Sequence, residues 1–213
     1  MTNLLFDYDG TLHNSIKIYA PAFRTAYNYL VDNGFADAKE FTEREISYWL
    51  GYTADDMWKS FLPSLPEEEK RKCSAIIAKE MIILINKGMA ELYPQAENIL
   101  QKLKAIGYNP IFLSNCKRAY MEAHVRQFRL HRFFSDFYCS EDFGFIAKYK
   151  IFESVKEHWP GDFIVIGDRF HDMEIAEKFN LISVGCTYGF GIAEELKNAT
   201  WRIDKLSDLL KLL

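Results

Sequence analysis

The sequence carries two pairs of aspartates that could share one polar pocket. Asp7 and Asp9 stand in Asp7-Tyr8-Asp9-Gly10-Thr11-Leu12, and Asp168 and Asp172 in Gly167-Asp168-Arg169-Phe170-His171-Asp172. Two carboxylates brought close repel each other, so their cohabitation points to a cation or a shared proton. An acid that directly ends a buried strand is costly without a partner, which favours a site role for Asp168. Asp172, four residues on, suits the same crevice and suits equally a cap on the helix that follows. Between the pairs lie Leu113-Ser114-Asn115 and Lys148. A hydroxyl and backbone amides beyond a strand can hold a phosphate oxygen, although Ser114 or Asn115 fits a helix N-cap as well. A lysine is a point charge suited to phosphate, although most lysines are solvated. Taken together, acid pair, hydroxyl, lysine and acid pair arrive in that order, each at or just beyond the end of an expected strand.

The elements that must position them are legible as alternation. Short apolar runs at 3–6, 110–113, 163–166 and 181–184, with a weaker one at 137–139, read as strands buried on both faces. Segments of helical periodicity at 94–106, 118–128, 148–158 and 171–179 separate them. This pattern predicts βαβ units and a parallel sheet, with ligands bound at the carboxyl ends of the strands. The region 14–88 breaks the alternation: 22–31, 43–50, 54–61 and 67–85 read as helices, with no strand among them. The fold expected is α/β, a three-layer Rossmann-like parallel sheet with a small α-helical cap inserted after the first strand. The core then comprises 1–13 and 89–213, and the cap 14–88. The aromatics Tyr19, Phe23, Tyr27 and Tyr29 recur on one helix face and read as cap core. Gly51-Tyr52-Thr53 reads as a helix–helix turn, with a substrate-facing loop as the other option.

Composition bounds the class. With 49% hydrophobic and 26% charged residues, the chain is expected to be globular rather than disordered. A net charge of -4 with no long basic run argues against nucleic acid or an anionic membrane as partner. No run is long enough to cross a bilayer, and no signal peptide is visible. Cys73, Cys116, Cys139 and Cys186 are scattered without a C-x-x-C pair, as expected of reduced, packing thiols in the cytoplasm. His13 and His171 are expected to be solvated or packed in loops.

The four segments resemble the motifs of the haloacid dehalogenase superfamily: D-x-D-G-T at 7–11, an apolar run ending in Ser114, Lys148, and G-D-x-x-x-D at 167–172. The helical insert resembles the cap of the phosphoglycolate phosphatase and β-phosphoglucomutase branch, and Tyr188-Gly189-Phe190-Gly191 resembles a loop of that branch. Two positions depart from the branch: Asn14 stands where an acid is common, and Tyr149 follows Lys148 in place of proline, so that Lys150 is a second candidate for the lysine.

The resemblance implies an enzyme, a phosphoric monoester hydrolase dependent on Mg²⁺. Asp7 would attack phosphorus to give an aspartyl-phosphate, and Asp9 would act as general acid and then base. Ser114, Asn115 and Lys148 would bind the phosphate. Asp7, Asp168, Asp172 and the main-chain carbonyl of Asp9 would bind the metal; an oxygen-only, carboxylate-rich set suits Mg²⁺ rather than zinc. The partner implied is a small phosphorylated metabolite, with the enzyme a monomer or homodimer. A phosphoglycolate phosphatase-like activity is expected; a β-phosphoglucomutase-like phosphomutase and a pyrophosphatase are the enzymatic alternatives, and a receiver-like phospho-aspartate domain the non-enzymatic one.

Overall fold

The computed structural model of the chain covers residues 1–213. Six strands form one parallel sheet: β1 (Thr2–Phe6), β2 (Asn109–Ser114), β3 (Phe137–Cys139), β4 (Asp162–Gly167), β5 (Ile182–Cys186) and β6 (Trp201–Ile203). Their spatial order is β3-β2-β1-β4-β5-β6, and every neighbouring pair is parallel. The order reverses direction between β1 and β4, and such a switch point leaves a crevice beyond the strand ends. Asp7 follows β1 and Asp168 follows β4, so the topology alone sets the two acids on the two lips of that crevice.

The sheet is covered on both faces, which is why its strands read as unbroken apolar runs. Leu4, Phe6, Phe112, Ile164, Ile166 and Val184 pack with Ile99, Leu100 and Leu103 of helix α5 (Ala96–Ala105) and Met121 of α6 (Arg118–Phe128). The alternate residues Leu5, Ile111, Leu113 and Val165 pack with Ile151 and Phe152 of α7 (Lys148–Val155) and Ile175 and Ala176 of α8 (Phe170–Phe179). Burying one such side chain is worth about 1.5–3 kcal/mol, so the two covered faces dominate the stability of the sheet. The three-layer α/β core expected from the sequence is therefore present. A short final helix, α9 (Leu209–Leu212), tucks Leu209 into the first of these clusters. Neither α9 nor β6 was expected.

Between β1 and α5 come α1 (Ile16–Asp32), α2 (Glu43–Ser47), α3 (Ala54–Phe61) and α4 (Glu67–Asn86). They enclose an apolar cluster of their own, built on Phe23, Tyr27, Leu30, Ile46, Trp58 and Ile77. Phe23, Tyr27, Phe41 and Phe61 meet largely edge to face, at ring-centroid distances of 4.8–6.3 Å. Local signals set the helix starts. Thr42 and Glu45 form a capping box, Thr53 caps α3 through the amide of Asp56, and Glu67–Glu69 complement the positive end of α4. Helix α2 stops well short of residue 50 and gives way to turns and to Gly51, whose φ of +89° only glycine adopts readily. Helix α1 begins at Ile16 rather than at 22, running through Pro21.

The chain leaves the sheet and returns to it side by side. The amide of Asn14 donates to the Glu91 carbonyl and that of Tyr93 to the Leu12 carbonyl, each at 2.8–2.9 Å, and His13 pairs with Leu92 as an antiparallel bridge. No helix is long and apolar enough to cross a membrane.

Candidate active site

The first acidic segment leaves β1 as a tight loop. The amides of Thr11, Leu12 and His13 all donate to the Tyr8 carbonyl, at 3.2, 2.8 and 2.9 Å. Gly10 closes the loop at φ +89°, and a Cβ there would run into the Asp168 carboxylate. Gly189 and Gly191, in the loop after β5, press on Asp168 from another side, and the Phe190 amide between them donates to Asp168 Oδ2 at 2.6 Å. The segments 7–11 and 167–172 are thus interlocked through glycines that admit a carboxylate where no side chain fits.

One ligand oxygen from each of Asp7, Asp168 and Asp172 lies within 4.8 Å of the others. All three residues are buried, at 8, 0 and 2% exposure. Lys148, 3% exposed, donates to Asp7 Oδ1 at 2.5 Å and to Asp172 Oδ1 at 2.7 Å. Asp172 also takes the Arg169 amide on Oδ2 at 3.1 Å, so it caps α8 and joins the cluster at once. Lys150 is exposed, with its ammonium 6.0 Å from the Tyr149 ring centre. Ser114 ends β2, buried, and lines the same cavity; Asn115 follows it and accepts from the Ser140 hydroxyl at 2.7 Å.

The electrostatics of this floor are unbalanced, with three carboxylates around one ammonium. Burial pushes the Asp7 carboxyl up to about 7, against the pull of Lys148 and with the push of Asp172. Burial, then Asp7 and Asp172, hold Asp168 well above the usual carboxylate range. Burial works to neutralise Lys148, but Asp172 and Asp7 outweigh it and hold the ammonium charged. Asp168 Oδ1 is buried with no hydrogen-bond partner. Such an oxygen is costly unless a ligand completes it, and three converging carboxylates with no sulfur or imidazole among them fit a hard divalent cation.

Asp9 stands apart from that trio. Its Oδ1 meets His13 Nδ1 at 2.8 Å and the Tyr120 hydroxyl of α6 at 2.7 Å, and its side chain, 20% exposed, lines the cavity. His13 was expected to be solvated or loop-packed. It is fully buried, because Tyr8 stacks on its ring at 5.2 Å and His124 meets its edge at 4.3 Å. His171 also departs from that expectation. It lines the cavity, and burial, with Lys148 second, pushes its imidazole down to about 4.

The cavity over these groups is about 920 Å³, and its roof comes from the inserted helices. Tyr19, Trp49, Tyr52, Met81 and Ile82 form its apolar wall. Tyr19, expected to be cap core, therefore also faces the cavity. Gly51-Tyr52-Thr53 lines the cavity, and Arg169 reaches up to it: the guanidinium donates to the Leu50 carbonyl, lies 5.0 Å from the Tyr52 ring centre and bonds Glu195 at 2.8 Å. Sequence reasoning passed over Arg169 and Tyr120. The one available signal was the spacing of His13 four residues after Asp9; nothing local marks Tyr120. Cys116 is a buried packing thiol, and all four cysteines are free.

The family model of haloacid dehalogenase-like hydrolases matches residues 4–186, a span that contains both acidic segments, Ser114 and Lys148. The chain belongs to this family. The hydrolase is similar to the phosphoglycolate phosphatase of Synechococcus elongatus, with 24% identity over 99% of this chain and 96% of that protein. It is similar also to the phosphoglycolate phosphatase of Mannheimia succiniciproducens, with 21% identity over 98% and 96%. Among solved structures, a predicted phosphatase from Clostridium acetobutylicum superposes on the hydrolase with a TM-score of 0.82 at 23% identity, covering 99% of this chain and 97% of that one. A predicted phosphoglycolate phosphatase from Haemophilus somnus gives 0.81 at 21%, covering 100% and 96%.

Proposed function

We propose that this hydrolase cleaves small-molecule phosphate monoesters of the phosphoglycolate type through an aspartyl-phosphate on Asp7. The observation that carries the reading is the buried cluster of Asp7, Asp168, Asp172 and Lys148 at the floor of a roofed cavity, with one Asp168 oxygen unsatisfied. Asp7, Asp168 and Asp172, with the main-chain carbonyl of Asp9, would hold Mg²⁺. When bound, that ion supplies the positive charge that lets an anionic phosphate approach an anionic carboxylate.

The chain's own groups do the rest. Lys148 pulls Asp7 toward its ionised form against burial and offers charge to the phosphoryl oxygens. The Ser114 hydroxyl and the Asn115 amide are the further phosphate contacts. An Asp7 oxygen bonds phosphorus as the ester P–O bond breaks, and Asp9 gives its proton to the departing alkoxide. In the second half, Asp9 takes a proton from water as the water oxygen bonds phosphorus and Asp7 is released. General acid–base help of this kind is worth about 10²–10⁴-fold. Residues 14–88 act as a lid that excludes water during both halves, and residues 1–13 with 89–213 carry the chemistry. Four buried thiols suit a reducing cytoplasm.

The test is a panel of phosphate monoesters, sugar phosphates and pyrophosphate, incubated with Mg²⁺ and assayed for free phosphate. Release from monoesters is expected, with Asp7→Asn lowering it on the order of 10⁴-fold while the fold is kept. Isomerised sugar phosphate without release would overturn the reading in favour of a mutase. A stable phosphoprotein without turnover would overturn it in favour of a signalling domain.

A further inference from the structure

The two bonds to Asp9 converge on one oxygen. The Tyr120 hydroxyl and His13 Nδ1 both meet Oδ1, at 2.7 and 2.8 Å, and lie 3.2 Å from each other. Asp9 Oδ2 takes neither. A carboxylate only accepts, so His13 must carry its proton on Nδ1, and the Tyr120 hydroxyl must be spent on Asp9 rather than on the imidazole. Nothing about this arrangement changes when Asp9 gains a proton on Oδ2, because Oδ1 is an acceptor in both states. The ring of His13 is itself fixed, stacked on Tyr8 and met edge-on by His124, whose Nδ1 bonds the Tyr8 hydroxyl at 2.8 Å. The anchor thus runs from α6 and from the loop after β1, two elements of the sheet domain, and involves no group of the lid.

We propose that Tyr120 and His13 are positioning residues that clamp Asp9 by Oδ1 and so reserve Oδ2 as the oxygen that gives and takes the proton. The inference rests on Asp9 being the acid and base. Loss of one neutral donor leaves the carboxylate present but free to rotate, which costs orientation rather than the proton itself. Such a loss falls on esters whose leaving group needs protonation and spares esters whose leaving group departs as a stable anion.

The experiment compares phosphoglycolate with p-nitrophenyl phosphate in the Mg²⁺-loaded enzyme, for Tyr120→Phe, His13→Ala, His13→Asn and Asp9→Asn. Tyr120→Phe keeps the ring and removes only the hydroxyl. It is expected to lower kcat for phosphoglycolate by about 10- to 100-fold, with KM unchanged and less than threefold effect on the nitrophenyl ester. His13→Asn, whose amide N–H replaces Nδ1–H, is expected to recover much of what His13→Ala loses. In the metal-free protein, imidazole NMR is expected to show His13 as the Nδ1–H tautomer. Equal losses on both esters in a folded Tyr120→Phe variant would overturn the clamp. So would a His13 protonated on Nε2 alone. If Asp9→Asn itself shows no leaving-group dependence, the acid–base reading of Asp9 falls, and the clamp with it. If Asp9→Asn shows that dependence and Tyr120→Phe does not, the clamp alone falls.

Discussion

The two sides of the cleft floor are built on opposite electrostatic plans. On one side, three buried carboxylates face a single ammonium, and Asp168 Oδ1 has no partner at all. On the other, Asp9 is held by two donors at normal distances and remains partly open to the cavity. The first side is incomplete without a visiting charge. The second has one carboxylate oxygen held by the chain itself and the other left free. One fold thus leaves three buried carboxylates short of positive charge a few residues from a carboxylate whose Oδ1 is held by two donors. It does so by ringing Asp168 with glycines and backbone, and Asp9 with an imidazole and a tyrosine hydroxyl.

The contrast between the two sides rests most heavily on Asp168. Asp168→Asn is expected to cut turnover by about 10³-fold or more, because the charge holding the cation is lost. The same change should raise the melting temperature of the metal-free protein at alkaline pH, since it removes a buried carboxyl whose ionisation is opposed by burial, Asp7 and Asp172. A variant that keeps Mg²⁺ affinity by calorimetry would show that the deficit is not a metal site.

A smaller and more diagnostic effect concerns pH. Asp7 and Asp168 have carboxyls raised in the folded protein, so the native state binds more protons than the unfolded chain. Their contribution to stability is complete below about pH 4 and is lost as pH rises through about 7 for Asp7. In thermal melts, saturating Mg²⁺ should raise the midpoint by about 5–10 °C at pH 8 and much less at pH 5. An equal shift at both values would contradict the charge deficit.

The smallest effect tests the link between floor and roof. Arg169 joins the second acidic segment to the inserted loop at Leu50 and Tyr52. Losing a bond worth about 1–1.5 kcal/mol should loosen that closed arrangement, so Arg169→Ala should raise KM about 5- to 10-fold with a smaller change in kcat. An unchanged KM would leave Arg169 a cap of α8 and nothing more.

Much of this molecule is legible before any coordinates. β1, β2 and β4 are buried on both faces, so their apolar runs stand out, and Asp7, Ser114 and Asp168 are found by asking what ends each run. Asp172 follows because it sits in the first turn of the helix that starts just after β4, whereas Lys148, at the start of α7, stands out only through its place in the ordered set that resembles the family's motifs. β6 escaped because a three-residue edge strand, Trp201–Ile203, alternates in burial and makes no apolar run. Tyr120 and Arg169 escaped for a different reason. Their local surroundings look like an ordinary aromatic helix face and an ordinary helix start; Asp9 and Leu50, the groups they reach across the cleft, lie more than a hundred residues away in sequence, and only the packed fold brings them into reach.

The paired backbones of Leu12–Asn14 and Glu91–Tyr93 have a wider consequence. Because departure and return lie shoulder to shoulder, the intervening helices form one excursion from a single point, which rests on α6 through Ile18, Leu84, Ile85 and Ala123 and leaves the strands themselves untouched. Closing a longer or shorter excursion between two points already in contact changes the entropy only logarithmically with its length. The same reaction floor could therefore be refitted with a different roof, and with it a different range of molecules admitted, without moving a strand.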